Sequence, residues 1–147
     1  MAMAHWLQAV TDEEAATLRR DASSIDRLDT ALSCWTHLYA AVEYFAAPLK
    51  PGESVTSAAL ETGWFHLLSP DEVAENAERL AKLDMERLRA EVARADFDAL
   101  IDEHELYELE LLQPAEAPDF IADEVERLAE FYAVAAGKNL GVAFYIT

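Results

Sequence analysis

The sequence predicts an α+β domain: a small mixed sheet of N-terminal, central and C-terminal strands, packed with about five helices into a single domain over residues 1–147. Three observations lead there. Short apolar runs stand at both ends and near the middle of the chain, the segments between them repeat their apolar residues every three or four positions, and several of those segments open on a capping residue. A length of 147 residues with 52% hydrophobic and 27% charged content suits one core and argues against a disordered chain.

The opening residues mix Trp6 and Val10 with apolar alternation and run into Thr11-Asp12-Glu13-Glu14, so a strand ends where a helix is capped. Thr11 and Glu14 have capping-box spacing, and the acids suit a positive helix N-terminus, which predicts a helix over 12–20. After a polar break at Asp21, Ser23 and Ser24, the spacing of Leu32, Trp35, Leu38, Tyr39, Val42 and Phe45 predicts a longer helix from about Thr30 to Ala46. Pro48 and the Lys50-Pro51-Gly52 turn stop it, and residues 51–62 read as a loop. Trp64 to Leu68 is a five-residue apolar run, hence a strand, and Ser69-Pro70-Asp71-Glu72 is the strongest helix start in the chain. That helix reaches about Leu83, and Asp84 caps another through about Ala95. After an acidic segment, Ile121, Val125, Leu128, Phe131, Tyr132 and Ala135 place a last helix over 119–136, with Gly137 as a left-handed cap. Leu140 to Ile146 closes the chain as a strand expected to pair with or neighbour the first, and Trp6, Trp35, Trp64 and Phe131 are expected to supply much of the core.

Several of these segments, taken together, resemble the YfbM-like family of small bacterial proteins, whose function is uncharacterised. They are the Met-x-Met strand before Thr11-Asp12-Glu13-Glu14, the stretch from Leu28-Asp29 through Trp35 and Leu38, and Leu67-Leu68-Ser69-Pro70-Asp71-Glu72-Val73. At the C-terminus, Leu128, Phe131-Tyr132, Ala135-Ala136-Gly137 and Gly141-Val142-Ala143-Phe144-Tyr145 are similar to the family's terminal helix and strand. Thr36 and Tyr39 stand where relatives carry histidine, residues 53–62 hold no glycine, and Tyr107 is followed by Glu108 rather than proline. The resemblance implies the α+β fold and transfers no reaction, cofactor or catalytic residue.

Charge carries the functional reading. Twenty-nine acids against 11 lysines and arginines give a formal net charge of -18 and a pI of about 4.3. Nucleic acid and anionic membrane surfaces are excluded as partners, because both are bound through clustered cations. The N-terminus lacks the basic and apolar regions of a secretory signal, no apolar run spans a bilayer, and a single cysteine, Cys34, rules out an intramolecular disulfide, so a cytoplasmic protein is expected. Between Arg94 and Arg127 there is no lysine or arginine, while 12 acids stand there. A solvated helix usually mixes signs, since like charges four apart repel. Apolar residues interspersed among the acids resemble the anchors of an interface.

The leading expectation is therefore a non-enzymatic acidic protein that binds a basic partner, concretely an immunity or inhibitor protein neutralising a basic toxin, through Asp98, Asp102, Glu103, Glu105, Tyr107, Glu108 and Glu110. Replacing Glu103, Glu105, Glu108 and Glu110 by glutamine is expected to weaken binding without unfolding. A second reading is a small-ligand site or enzyme built on His5, His66 and Tyr145, and a third is self-assembly through the apolar residues of 100–112; the oligomeric state stays open. A solvated acidic face serving solubility alone is the bland alternative. No cofactor is expected, and no metal. Asp96, Asp98 and Asp102 fail the calcium-loop pattern, with Ile101 and Tyr107 where glycine and glutamate belong, and the four histidines have no zinc spacing. Cys34 and His37 lie three apart and would share a helix face, but the apolar neighbours of Cys34 point to a packed thiol.

Overall fold

Two capping boxes set the positions of the first and third helices, and the strands before them fall into place as a consequence. In the computed structural model, which describes residues 4–27, 32–46, 48–56 and 64–146, strand β1 (His5–Val10) ends at Thr11 and helix α1 (Asp12–Arg20) begins. The Thr11 hydroxyl accepts from the Glu14 amide at 3.1 Å while the Glu14 carboxylate accepts from the Thr11 amide at 2.9 Å. A 3-10 turn (Ala22–Arg27), β2 (Ser33–Thr36), α2 (Tyr39–Phe45), β3 (Glu53–Thr56) and β4 (Trp64–Leu68) follow. The Ser69 and Glu72 pair repeats the capping box at the start of α3 (Pro70–Ala81). Asp84 and Asp96 cap α4 (Met85–Arg94) and α5 (Phe97–His104) through the amides of Arg87 and Ala99, each at 3.2 Å. A second 3-10 turn (Tyr107–Leu111), α6 (Ala117–Gly137) and β5 (Gly141–Ile146) complete the chain.

The strands form one sheet in the order β2-β1-β5-β4-β3. The first and last strands pair at its centre, Leu7 opposite Phe144 and Ala9 opposite Val142. Every pairing is antiparallel, where a mixed sheet was expected. A parallel pair needs a crossover that carries the chain back to the opposite end of the sheet, whereas the helical segment after β4 returns to the end it left, placing Val142 at the start of β5 beside Leu68 at the end of β4. Strand alternation sorts side chains onto two faces. Leu7, Ala9, Leu68 and Val142 share one core with side chains of α2, α3, α4 and α6, in which α3 and α6 lie on the sheet and α4 packs on α6, while Val10, Phe65, Leu67 and Ala143 pack against Leu18, Ala22 and Ile25 from α1 and the first 3-10 turn. Helices thus cover both faces.

Four local expectations are corrected. The helix expected over 30–46 is strand β2 followed by the short α2, because Cys34 and Thr36 are buried while Trp35 between them faces solvent. That is period two, and pairing with β1 decided it; the Thr36 hydroxyl then accepts from the Leu38 amide at 2.9 Å and turns the chain. The loop expected over 51–62 contains edge strand β3 at 53–56, a polar segment with too few apolar residues to signal a strand, while 57–63 lie outside the described residues. Gly52 turns into it with φ +80, and a Cβ there would stand 2.5 Å from the Leu67 carbonyl oxygen. At the end of α6 the left-handed residue is Asn139 (φ 54) rather than Gly137, and the Leu140 amide closes back onto the Ala135 carbonyl at 3.0 Å. Finally, Trp35 is exposed and Trp6 half-buried, so the core rests on Phe65, Phe131, Tyr132 and aliphatic side chains. The side chain of Trp64 lies outside the described set.

Glu105 closes α5 in the left-handed conformation (φ 57), which costs an L side chain about 1 kcal/mol relative to glycine. Glu105→Gly is accordingly expected to raise stability by up to about 1 kcal/mol in urea unfolding. An unchanged or lower midpoint would show that the carboxylate contributes more than the backbone conformation costs.

Candidate functional site

The two groups of residues singled out from sequence meet different fates. His5 on β1 and His66 on β4 lie on the face that carries the main core, on either side of Phe144, with ring centroids 5.7 and 6.0 Å from it. Tyr39 stacks on His5 at 5.2 Å and closes on Phe144 at 4.7 Å. Tyr145 follows Phe144 in a strand, so it projects from the opposite face, where it packs with the smaller core and stacks on Trp6 at 6.4 Å. The sheet itself separates it from the histidines. Burial raises the Tyr39 hydroxyl well above its ordinary range, with Tyr132 and Glu43 adding to the effect. Tyr132 is raised as well, by burial first, against an opposing hydrogen bond with Asn76.

Both hydroxyls stay protonated in the folded chain at pH values where unfolded tyrosine, near pH 10, ionises. Their contribution to stability is complete below about pH 10 and falls as pH rises above it. The denaturant midpoint should drop between about pH 9.5 and 11, and Tyr132→Phe should flatten that slope; an unchanged slope would show that these groups do not govern it.

Cys34 faces the core from β2 and His37 stands exposed beyond the strand, so they do not share a helix face. Burial raises the Cys34 thiol, with Arg127 opposing and Glu124 adding, which disfavours the thiolate. Among the described residues no three His, Cys, Asp or Glu side chains converge as metal ligands. No helix there is long and apolar enough to cross a membrane.

The acidic segment is α5, the second 3-10 turn and the first half of α6. Asp98, Asp102, Glu103, Glu105 and Glu110 are exposed and form no ion pair among the described residues, and Tyr107 is 59% exposed beside them. Glu108 differs. It is half-buried, and its Oε1 accepts from the Ala41 amide at 2.8 Å, in the first turn of a helix whose own cap residue, Leu38, supplies no side-chain bond. It belongs to the fold, so a charge test of this segment has to leave it in place.

The apolar centre lies further along than the sequence indicated. Trp35 (44% exposed), Leu111 (62%) and Phe120 (47%) come from β2, the second 3-10 turn and α6, and they converge on one groove of about 330 Å³ that also takes in His37, Glu116 and Arg127. Arg127 forms one end. Its Nη2 donates to the Trp35 carbonyl oxygen at 2.8 Å, its guanidinium lies 6.0 Å from the Trp35 ring centroid, and it pairs with Glu124. Because β2 is an edge strand, this bond covers one of its outward carbonyls. Beyond Arg127, a second hollow of about 380 Å³ continues between Cys34 on β2 and Phe131 and Val134 on α6.

The acids on the first half of α6 are unequally matched. Arg89 takes Asp119 at 3.1 Å and Glu126 at 3.8 Å, and Arg127 takes Glu124. Glu116 and Asp123, four residues before and three after Phe120, have no basic partner among the described residues. This spacing puts acid, aromatic and acid on one side of α6. Sequence reasoning missed Trp35 as a surface residue, because it sat in a pattern read as core, and passed over Phe120, which stands outside the apolar set assigned to the last helix, between Asp119 and Asp123.

Comparison with known proteins bears on the fold. A family model described as "Domain of unknown function (DUF1877)" matches residues 37–145. No curated protein matches the chain. The crystal structure of YfbM, a protein of unknown function from Escherichia coli, is similar over 99% of this chain and 100% of that one, with a TM-score of 0.66 at 17% identity.

Proposed function

We propose that this chain, which belongs to the DUF1877 family, is a non-enzymatic protein-binding domain that engages a positively charged partner through the face formed by β2, the second 3-10 turn and the first half of α6. One observation carries the reading: exposed Trp35, Leu111 and Phe120, contributed by three separate segments, meet in a groove rimmed by Glu116, with Asp123 adjoining it beside Phe120, and neither carboxylate has a basic partner among the described residues. Desolvated aromatic anchors inside a polar rim are the arrangement in which interfaces concentrate their energy. The exposed acids Asp98, Asp102, Glu103, Glu105 and Glu110 extend the same sign of charge along the chain and would speed encounter with a cationic surface. An inhibitor or immunity protein that covers the cationic cleft of a basic effector, acting in the cytoplasm, is the concrete form of this proposal.

The test uses tagged protein and its Phe120→Ser variant as baits in native extract, at about 0.05 and 0.5 M salt, where screening lengths differ several-fold. One basic protein held by the wild-type bait at low salt, released at high salt and lost with Phe120→Ser is the expected result. Recovery of no salt-sensitive partner, or equal recovery on both baits, would overturn the assignment of this face.

A further inference from the structure

Resting on the docking reading above, we infer that the groove between Trp35 and Phe120 is a socket for a single arginine side chain of the partner protein. At about 330 Å³ the space lies at the small end of ligand pockets, roughly 300–1,000 Å³, which suits one long side chain better than a cofactor. Its lining has the two-part character such a side chain requires. Leu111 and the rings of Trp35 and Phe120 offer apolar surface for a methylene stem, and Glu116, which has no basic partner among the described residues, stands at the rim to receive the charged head. The groove carries Glu116, Glu124 and Arg127, and Asp123 adjoins it beside Phe120, so a cation entering it meets a net negative surface.

The choice of arginine over lysine rests on shape and on a contact already made. The Arg127 guanidinium sits by the Trp35 ring and donates to the Trp35 carbonyl, so this tryptophan already accepts a planar cation from within the chain. A guanidinium stacks on an aromatic face and meets a carboxylate through two parallel donors; an ammonium is a hydrated point charge that does neither.

The probe is N-acetyl-arginine methylamide, titrated into the full chain while the indole N–H signal of Trp35, assigned with Trp35→Phe, is followed by NMR. The matched citrulline compound, isosteric and uncharged, and the lysine compound run beside it. Expected are a saturable shift in the millimolar range with the arginine compound, little or none with the other two, and at least about a five-fold weaker response in Glu116→Gln and in Phe120→Ala. Thermal unfolding of both variants confirms that they remain folded; both side chains are surface-exposed. An equal response to citrulline or lysine, or an undiminished response in the variants, would overturn the socket. The capture experiment separates this failure from a wider one. A salt-sensitive partner retained equally by wild-type and Glu116→Gln baits would remove the socket and leave the docking reading standing, whereas absence of any such partner would remove the docking reading itself.

Discussion

Asn76→Ala is expected to cost about 3 kcal/mol, or roughly 10 °C in Tm for a chain of this size. Asn76 is fully buried in α3, yet its amide faces the chain between α2 and β3 rather than solvent. Its Oδ1 accepts from the Lys50 amide at 2.7 Å and its Nδ2 donates to the Lys50 carbonyl at 3.1 Å, so one side chain satisfies both backbone groups of a residue 26 positions away. It also stands close enough to Tyr132, the largest fully buried side chain of α6, to oppose the effect of burial on that hydroxyl. Alanine would leave these groups without their partner and open a void among three elements, which combines two of the more expensive single-residue defects. Urea unfolding measures the loss. A cost below about 1 kcal/mol would show that water replaces the amide at little penalty.

Glu108→Ala is expected to cost about 2 kcal/mol, although Glu108 sits in the most acidic stretch of the chain. Its carboxylate takes the Ala41 amide in the first turn of α2, a charge-assisted bond reinforced by the helix dipole. Glu108→Gln keeps an acceptor oxygen and loses the charge, so about half that cost is expected. The combined replacement of Glu103, Glu105 and Glu110 by glutamine should change stability by less than about 0.5 kcal/mol, because these carboxylates are exposed and form no ion pair among the described residues. Equal effects of Glu108→Ala and the triple replacement would contradict the division of this segment into one structural and several surface acids.

The contrast between these acids marks where sequence reading reaches its limit. Helix starts at Asp12, Pro70 and Met85 were legible because capping is local: Thr11 finds Glu14, and Ser69 finds Glu72, three residues on. Glu108 meets Ala41 across 67 positions, and nothing in either neighbourhood announces it. Strands β4 and β5 were legible as apolar runs, whereas β2 was hidden, since Leu32, Trp35, Leu38 and Val42 satisfy a helical period until pairing with β1 selects the strand. That one misreading also concealed the candidate site. Taken as helix, Trp35 belongs to the core; taken as an edge strand, it turns outward to meet Phe120 and Leu111. The acidic rim was legible from composition, and its apolar centre required the tertiary fold.

Zero-length carbodiimide coupling in native extract tests the central proposal most directly, because it joins carboxylates only to amines already in contact with them. The docking reading expects coupled peptides that contain Glu116 or Asp123, and acids of the 98–110 segment, joined to lysines of one basic protein, with yield falling as salt rises. Coupling confined to acids elsewhere, such as Asp12 and Glu13 on α1 or Glu75 and Glu78 on α3, or the absence of any coupled protein, would contradict it.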